Sequence, residues 1–135
     1  MHKTLLIAGA VLMILGYLHG FVLDLTPNRA LGLSAHVAAI QNGLIVLVLG
    51  GVWRFVNLSN RIASLTGWLC ILGLYQLWLG LFCAAMMNLT SPLESGATSA
   101  LQFGGSAFLL VGFLLLVYGF FKHTHSTHDE LQHRR

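Results

Sequence analysis

The 135-residue chain is 56% hydrophobic and 8% charged, with seven basic and four acidic residues. A soluble globule carries about 25% charged residues, so the composition excludes that class and points to an integral membrane protein. The slight basic excess calls for no nucleic-acid partner and reads instead as topology information.

Four long apolar runs follow one another. The first, Thr4 to Leu23, is long enough to span and is read as an uncleaved helix rather than a signal peptide. A turn at Asp24–Arg29 follows, with Pro27 ending the helical pattern. Helix two is predicted from Leu33 to Phe55, helix three from Ile62 to Leu89 and helix four from Ala100 to Phe121. Each meets the roughly 20 residues that a span requires, and helix three exceeds it. The expected fold is all-α, a four-helix membrane bundle in a single domain over 1–121, with a polar, solvated and mobile tail over 122–135.

Lysine and arginine set the orientation. Lys3, Arg54, Arg61, Lys122, Arg134 and Arg135 fall at the termini and the second connection, against Arg29 alone elsewhere, which puts both termini in the cytoplasm. Glycines recur seven apart: Gly9 and Gly16, Gly43 and Gly50, Gly73 and Gly80, then Gly105, Gly112 and Gly119. Such a repeat makes a seam along which helix backbones approach closely. Asp24-Leu-Thr-Pro27 and Asn88-Leu-Thr-Ser-Pro92 hint at two related hairpins.

Polar residues lie on those seams. His36 is seven before Gly43, His19 three after Gly16, Gln76 three after Gly73 and Gln102 three before Gly105. Residues three or seven apart share a helix face. Together they outline a polar pocket toward the non-cytoplasmic half, with Gln76 and Asn42 nearer the middle. Imidazole can ligate haem iron or move a proton, and an amide can orient a polar substrate group. Each residue also has a plain role: an intramembrane histidine, asparagine or glutamine can simply tie two helices together. Cys70 and Cys83 read as apolar filler, and Met86 and Met87 as packing or soft ligands. The tail histidines His123, His125, His128 and His133 read as a solvated segment or a metal tract. No phosphate loop, activated nucleophile or paired intramembrane carboxylate is present, which argues against hydrolysis and phosphoryl transfer.

The chain resembles the hydroxylaminobenzene mutases along its length, through its four spans, His19-Gly20-Phe21 and the Ser34-Ala35-His36-x5-Asn42 pattern. More distantly, Ala35-His36-x5-Asn42-Gly43 is similar to the helix-two pattern of the styrene oxide isomerase family. The resemblance implies a bacterial inner-membrane enzyme acting on a small aromatic substrate. His36 would ligate haem b, Asn42 would hold the substrate, and His19 would share in the catalysis. In helix three that family uses a tyrosine, for which Tyr75, Trp78 and Phe82 are the nearest candidates, with Gln76 beside them. The expected reaction is conversion of hydroxylaminobenzene to 2-aminophenol. The alternatives are epoxide-to-carbonyl isomerisation, a non-catalytic haem- or quinone-binding subunit, and a small structural or transport protein. The small bundle and its seams favour a homo-oligomer.

Overall fold

A computed structural model describes residues 1–133, with side chains through Lys122. Among the described residues there is no strand, and four helices are long and apolar enough to cross a membrane. They are α1 (His2–Phe21), α2 (Arg29–Val52), α3 (Asn60–Met86) and α4 (Gly96–His133).

Helix ends are set by local chemistry that hydropathy does not register. Helix α2 starts four residues before the predicted Leu33, because Asn28 caps it: its Oδ1 accepts from Leu31 N at 3.1 Å. Helix α3 stops at Met86 rather than Leu89. Asn88 takes the left-handed conformation (φ 54°), Leu89 N donates to Ala84 O at 3.0 Å and Asn88 N donates to Ala85 O at 3.2 Å. That is a Schellman ending, with asparagine in the place glycine usually fills. Helix α4 runs on past the predicted end at Phe121. The side chains of the tail histidines lie outside those described.

Two hairpins, α1–α2 and α3–α4, dock mainly along α2 and α3. Helix α4 packs along α3 and the Trp53–Phe55 turn. Most of its surface therefore stays on the outside of the bundle, as suits a helix in lipid. The core between the hairpins is built from Leu5, Val46, Leu49, Trp53, Cys70, Ile71, Leu74 and Leu116.

Each hairpin crosses at a pair of facing glycines. A Cβ on Gly9 would stand 2.7 Å from Gly43 O, and one on Gly43 would stand 2.8 Å from Gly9 O. In the second hairpin the same holds for Gly73 and Gly105, at 2.9 and 2.8 Å. The predicted seams are therefore real contacts, and each hairpin has one such pair of facing glycines.

Polar side chains stitch the bundle, each to a main-chain carbonyl of another helix. His36 Nδ1 donates to Gly16 O (2.8 Å), Asn42 Nδ2 to Leu74 O (3.0 Å), Tyr75 Oη to Ala8 O (2.8 Å) and Gln102 Nε2 to Leu77 O (3.2 Å). Near the chain start, His2 Nδ1 donates to Gly50 O at 2.6 Å. At the opposite end Asn28 joins the two outer connections. Besides capping α2, its side chain donates to Leu89 O at 2.7 Å and its backbone N to Ala85 O at 3.2 Å. In the α3–α4 connection Glu94 accepts from Thr90 N and Thr90 Oγ1 at 2.6 and 2.8 Å. The Thr90 backbone N–H, then its hydroxyl, hold the Glu94 carboxyl below its usual range.

Candidate active site

Trp78, Phe82 and Met86 are spaced four apart and form one stripe of α3, turned toward the end of α1. Opposite them stands His19, buried to 5% exposure in the last turn of α1. Its ring meets Phe82 edge-on, with centroids 5.1 Å apart and planes at 81°. Trp78 also stacks on Phe82, at 5.7 Å and 30°. Such aromatic pairs hold fixed orientations at modest energy, and here they fix one wall of a cavity.

That cavity, of about 430 Å³ and open on one side, is lined by Leu15, Leu18, Phe21 and Val22 from α1 and its end, and by Trp78 and Phe82 from α3, with His19 among them. A smaller cavity of about 250 Å³ adjoins it on the side of the connections, lined by His19, Val22, Leu25, Thr26, Phe82 and Met86. The larger volume falls within the range of small-molecule sites, which are mostly apolar with a few placed polar groups.

The placed polar groups are two nitrogens. His19 Nε2 lies 3.5 Å from Thr26 Oγ1, a long contact, and its Nδ1 is buried with no hydrogen-bond partner among the described residues. Trp78 Nε1 is likewise buried and unpartnered. A buried polar atom without a partner costs about 1–3 kcal/mol; His19 and Trp78 both line this apolar cavity, although the two nitrogens themselves are covered by their neighbours.

Of the predicted site residues, His19 and Trp78 meet at this cavity. His36, Asn42, Tyr75 and Gln76 do not line either chamber. His36 lies instead against Gly20, where an added Cβ would stand 2.7 Å from its Cε1. Asn42 and Tyr75 are engaged in the interhelical ties described above. Gln76 packs against Gly105 and leaves its Oε1 buried and unpartnered beside Gly104, on the α4 side of α3. Thr26, 7% exposed, and Val22 carried no signal in the sequence. The four-residue spacing of Trp78, Phe82 and Met86 puts them on one helix face and is the signal that could have marked the wall.

Residues 1–124 match the family described as styrene oxide isomerase. The chain belongs to that family. It is also similar to two proteins of Ectopseudomonas oleovorans. It is 31% identical to hydroxylaminobenzene mutase HabA over 93 residues, covering 69% of each chain. It is 30% identical to hydroxylaminobenzene mutase HabB over 118 residues, covering 84% of this chain and 72% of the relative. No solved structure matches it. Membership makes the chain a mutase or isomerase by kind, built on four helices able to span a membrane.

For the haem that the sequence resemblance implies, His36 is the donor whose chemistry fits. A carbonyl can only accept, so the bond to Gly16 O places the proton on Nδ1 and leaves Nε2 as the lone pair. Metal-ligating histidines use this arrangement: the second nitrogen is held by a backbone carbonyl, which orients the ring.

Proposed function

We propose that this chain is an intramolecular mutase that converts hydroxylaminobenzene to 2-aminophenol in the cavity beside His19. The observation that carries the proposal is that His19 and Trp78, each with a buried nitrogen that has no partner among the described residues, line one apolar cavity beside the ring of Phe82. The names of the mutase relatives supply the substrate.

The reaction is an isomerisation. The N–O bond breaks, a C–O bond forms on the adjacent ring carbon, and the hydrogen displaced from that carbon ends on nitrogen. Trp78 and Phe82 hold the ring. Trp78 Nε1–H donates to the migrating oxygen and keeps it beside the ring. His19 Nδ1 delivers a proton to the oxygen as it leaves nitrogen and takes one back as the product forms. The apolar lining keeps out bulk water, which otherwise competes for the activated ring. Haem b, if held by His36, would supply Lewis-acid chemistry. Asn42, Tyr75 and Gln102 act in this scheme by fixing the helices that carry the cavity. The proposal also places the chain as a homo-oligomer in the bacterial cytoplasmic membrane, with both termini inside.

The test is turnover in ¹⁸O-labelled water with the purified protein. Product free of label is expected; label in the 2-aminophenol oxygen would refute intramolecular transfer. Epoxide-to-carbonyl isomerisation is the second reading, favoured by the family description, and assaying both substrates on one preparation separates the two.

A further inference from the structure

The two cavities share His19, Val22 and Phe82 and differ in what surrounds them. Around the larger one, Leu18 is 56% exposed and Phe21 87% exposed, on the outer flank of α1. These are apolar side chains on a helix of membrane-spanning length, so their exposed faces meet acyl chains. The smaller cavity lies about one turn further along α3, from Phe82 to Met86, and is bounded by Leu25 and Thr26 of the α1–α2 connection. Leu25 is 80% exposed and stands in the 3₁₀ turn outside the helix. One chamber therefore faces the lipid and the other faces the connections. The edge-on His19–Phe82 pair stands between them.

We infer that the site is a passage with separate ends: an aromatic substrate dissolved in the bilayer enters the larger chamber past Leu18, and the product leaves past Met86 at the end of the bundle that carries the connections. This rests on the mutase reading for the identity of the substrate, but not for the order of the chambers. Both ligands are single-ring aromatics bearing nitrogen and oxygen. The product, with separate amino and hydroxyl groups, offers more sites for hydrogen bonding to water than the substrate's single hydroxylamino group. His19 lines both chambers and Trp78 the larger alone, so the polar part of the ligand is held on the larger chamber's side of the junction. The ring lies against Trp78 and Phe82, and Leu18 stands at the lipid-facing mouth. Phe82 has to swing for product to pass, so release belongs to a side-chain motion rather than to the chemical step.

The experiment narrows each mouth separately, in protein reconstituted into lipid vesicles. Leu18→Trp narrows the lipid-facing mouth and Met86→Trp the other; both residues are about half exposed at the rim. Since kcat/KM reports capture and kcat includes release, Leu18→Trp is expected to lower kcat/KM about tenfold with kcat held. Met86→Trp is expected to lower kcat about tenfold with kcat/KM held. The smaller changes Leu18→Phe and Met86→Phe give the same split in weaker form should either tryptophan variant fail to fold. A reversed split, the same parameter moving in both, or no change in either overturns the proposal.

A second arm needs no turnover. The ¹⁹F line of 4-fluorophenol is expected to broaden on adding the protein, to stay sharp with Leu18→Trp and to broaden with Met86→Trp. A sharp line with the unaltered protein, or equal behaviour of the two variants, overturns the proposal. If the unaltered protein makes no 2-aminophenol, the mutase reading fails, and the fluorine arm alone decides the chambers.

Discussion

Replacing Gly9 with alanine forces the two helices of the first hairpin apart. The new Cβ would stand 2.7 Å from Gly43 O, 2.7 Å from Leu47 N and 2.8 Å from Leu47 Cγ. Two of these three neighbours are backbone and cannot swing away. A carbon rests against a carbonyl oxygen at about 3.3 Å, so α1 and α2 must separate by roughly 0.6 Å. A gap of that size forfeits a quarter to a half of each dispersion contact along the crossing, and overpacking of this kind costs about 1–3 kcal/mol. Alanine recovers about 1 kcal/mol through its better helix propensity. The net is a destabilisation of about 1 kcal/mol, near fivefold in the folding equilibrium. Gly51→Ala is the control: nothing lies within 4 Å of its Cβ, so only the propensity gain of up to about 1 kcal/mol applies. The assay is equilibrium unfolding in mixed micelles with rising SDS, followed by far-ultraviolet circular dichroism. A Gly9→Ala midpoint equal to that of the parent, or Gly51→Ala costing as much as Gly9→Ala, would refute the reasoning.

Asn28→Ala removes a helix cap and the tie to Leu89 O, and is expected to cost about 1–2 kcal/mol in the same titration. Asn28→Asp keeps the cap acceptor, loses the donor and should fall between the two. His19→Ala is expected to lower kcat about 10²- to 10⁴-fold in the 2-aminophenol assay. Trp78→Phe, which keeps the stacked ring and removes only the N–H, should lower it about 10²-fold. An absorption spectrum of the purified protein is expected to show a haem band that His36→Ala abolishes; a band surviving in the variant removes His36 as the ligand. For Glu94 the folded pKa is depressed, so its contribution is complete above the ordinary value of 4.5 and is lost as the pH falls below it. Amide exchange at Thr90, taken as a ratio to that in Glu94→Gln, should therefore approach unity on acidification.

The order and span of the four helices were legible because lipid imposes one simple demand, about 20 uncharged residues per crossing. The glycine seams were legible for the same kind of reason: a seven-residue period is a geometric signal that survives without knowing the partner. Gly9, Gly43, Gly73 and Gly105 all fell where the period put them. Helix ends were less legible, since the asparagines that fix them, Asn28 and Asn88, act through hydrogen bonds and a left-handed turn. The site was readable only in part. Seam position identified His19, but it identified His36, Gln76 and Gln102 equally, and sequence spacing does not say which neighbour a polar group meets. A polar residue facing a backbone and one facing a cavity share the same helical phase.

The polar ties of this bundle all end on main-chain carbonyls, those of Ala8, Gly16, Gly50, Leu74 and Leu77. Every residue type supplies the same carbonyl, so the constraint on descent is one-sided. The donor position is selected, while the acceptor position is free to drift so long as the helices stay equally close. Loss of a donor strands no charged or polar side chain in lipid, because the carbonyl keeps its own intrahelical bond. Such an architecture needs no paired substitutions to change.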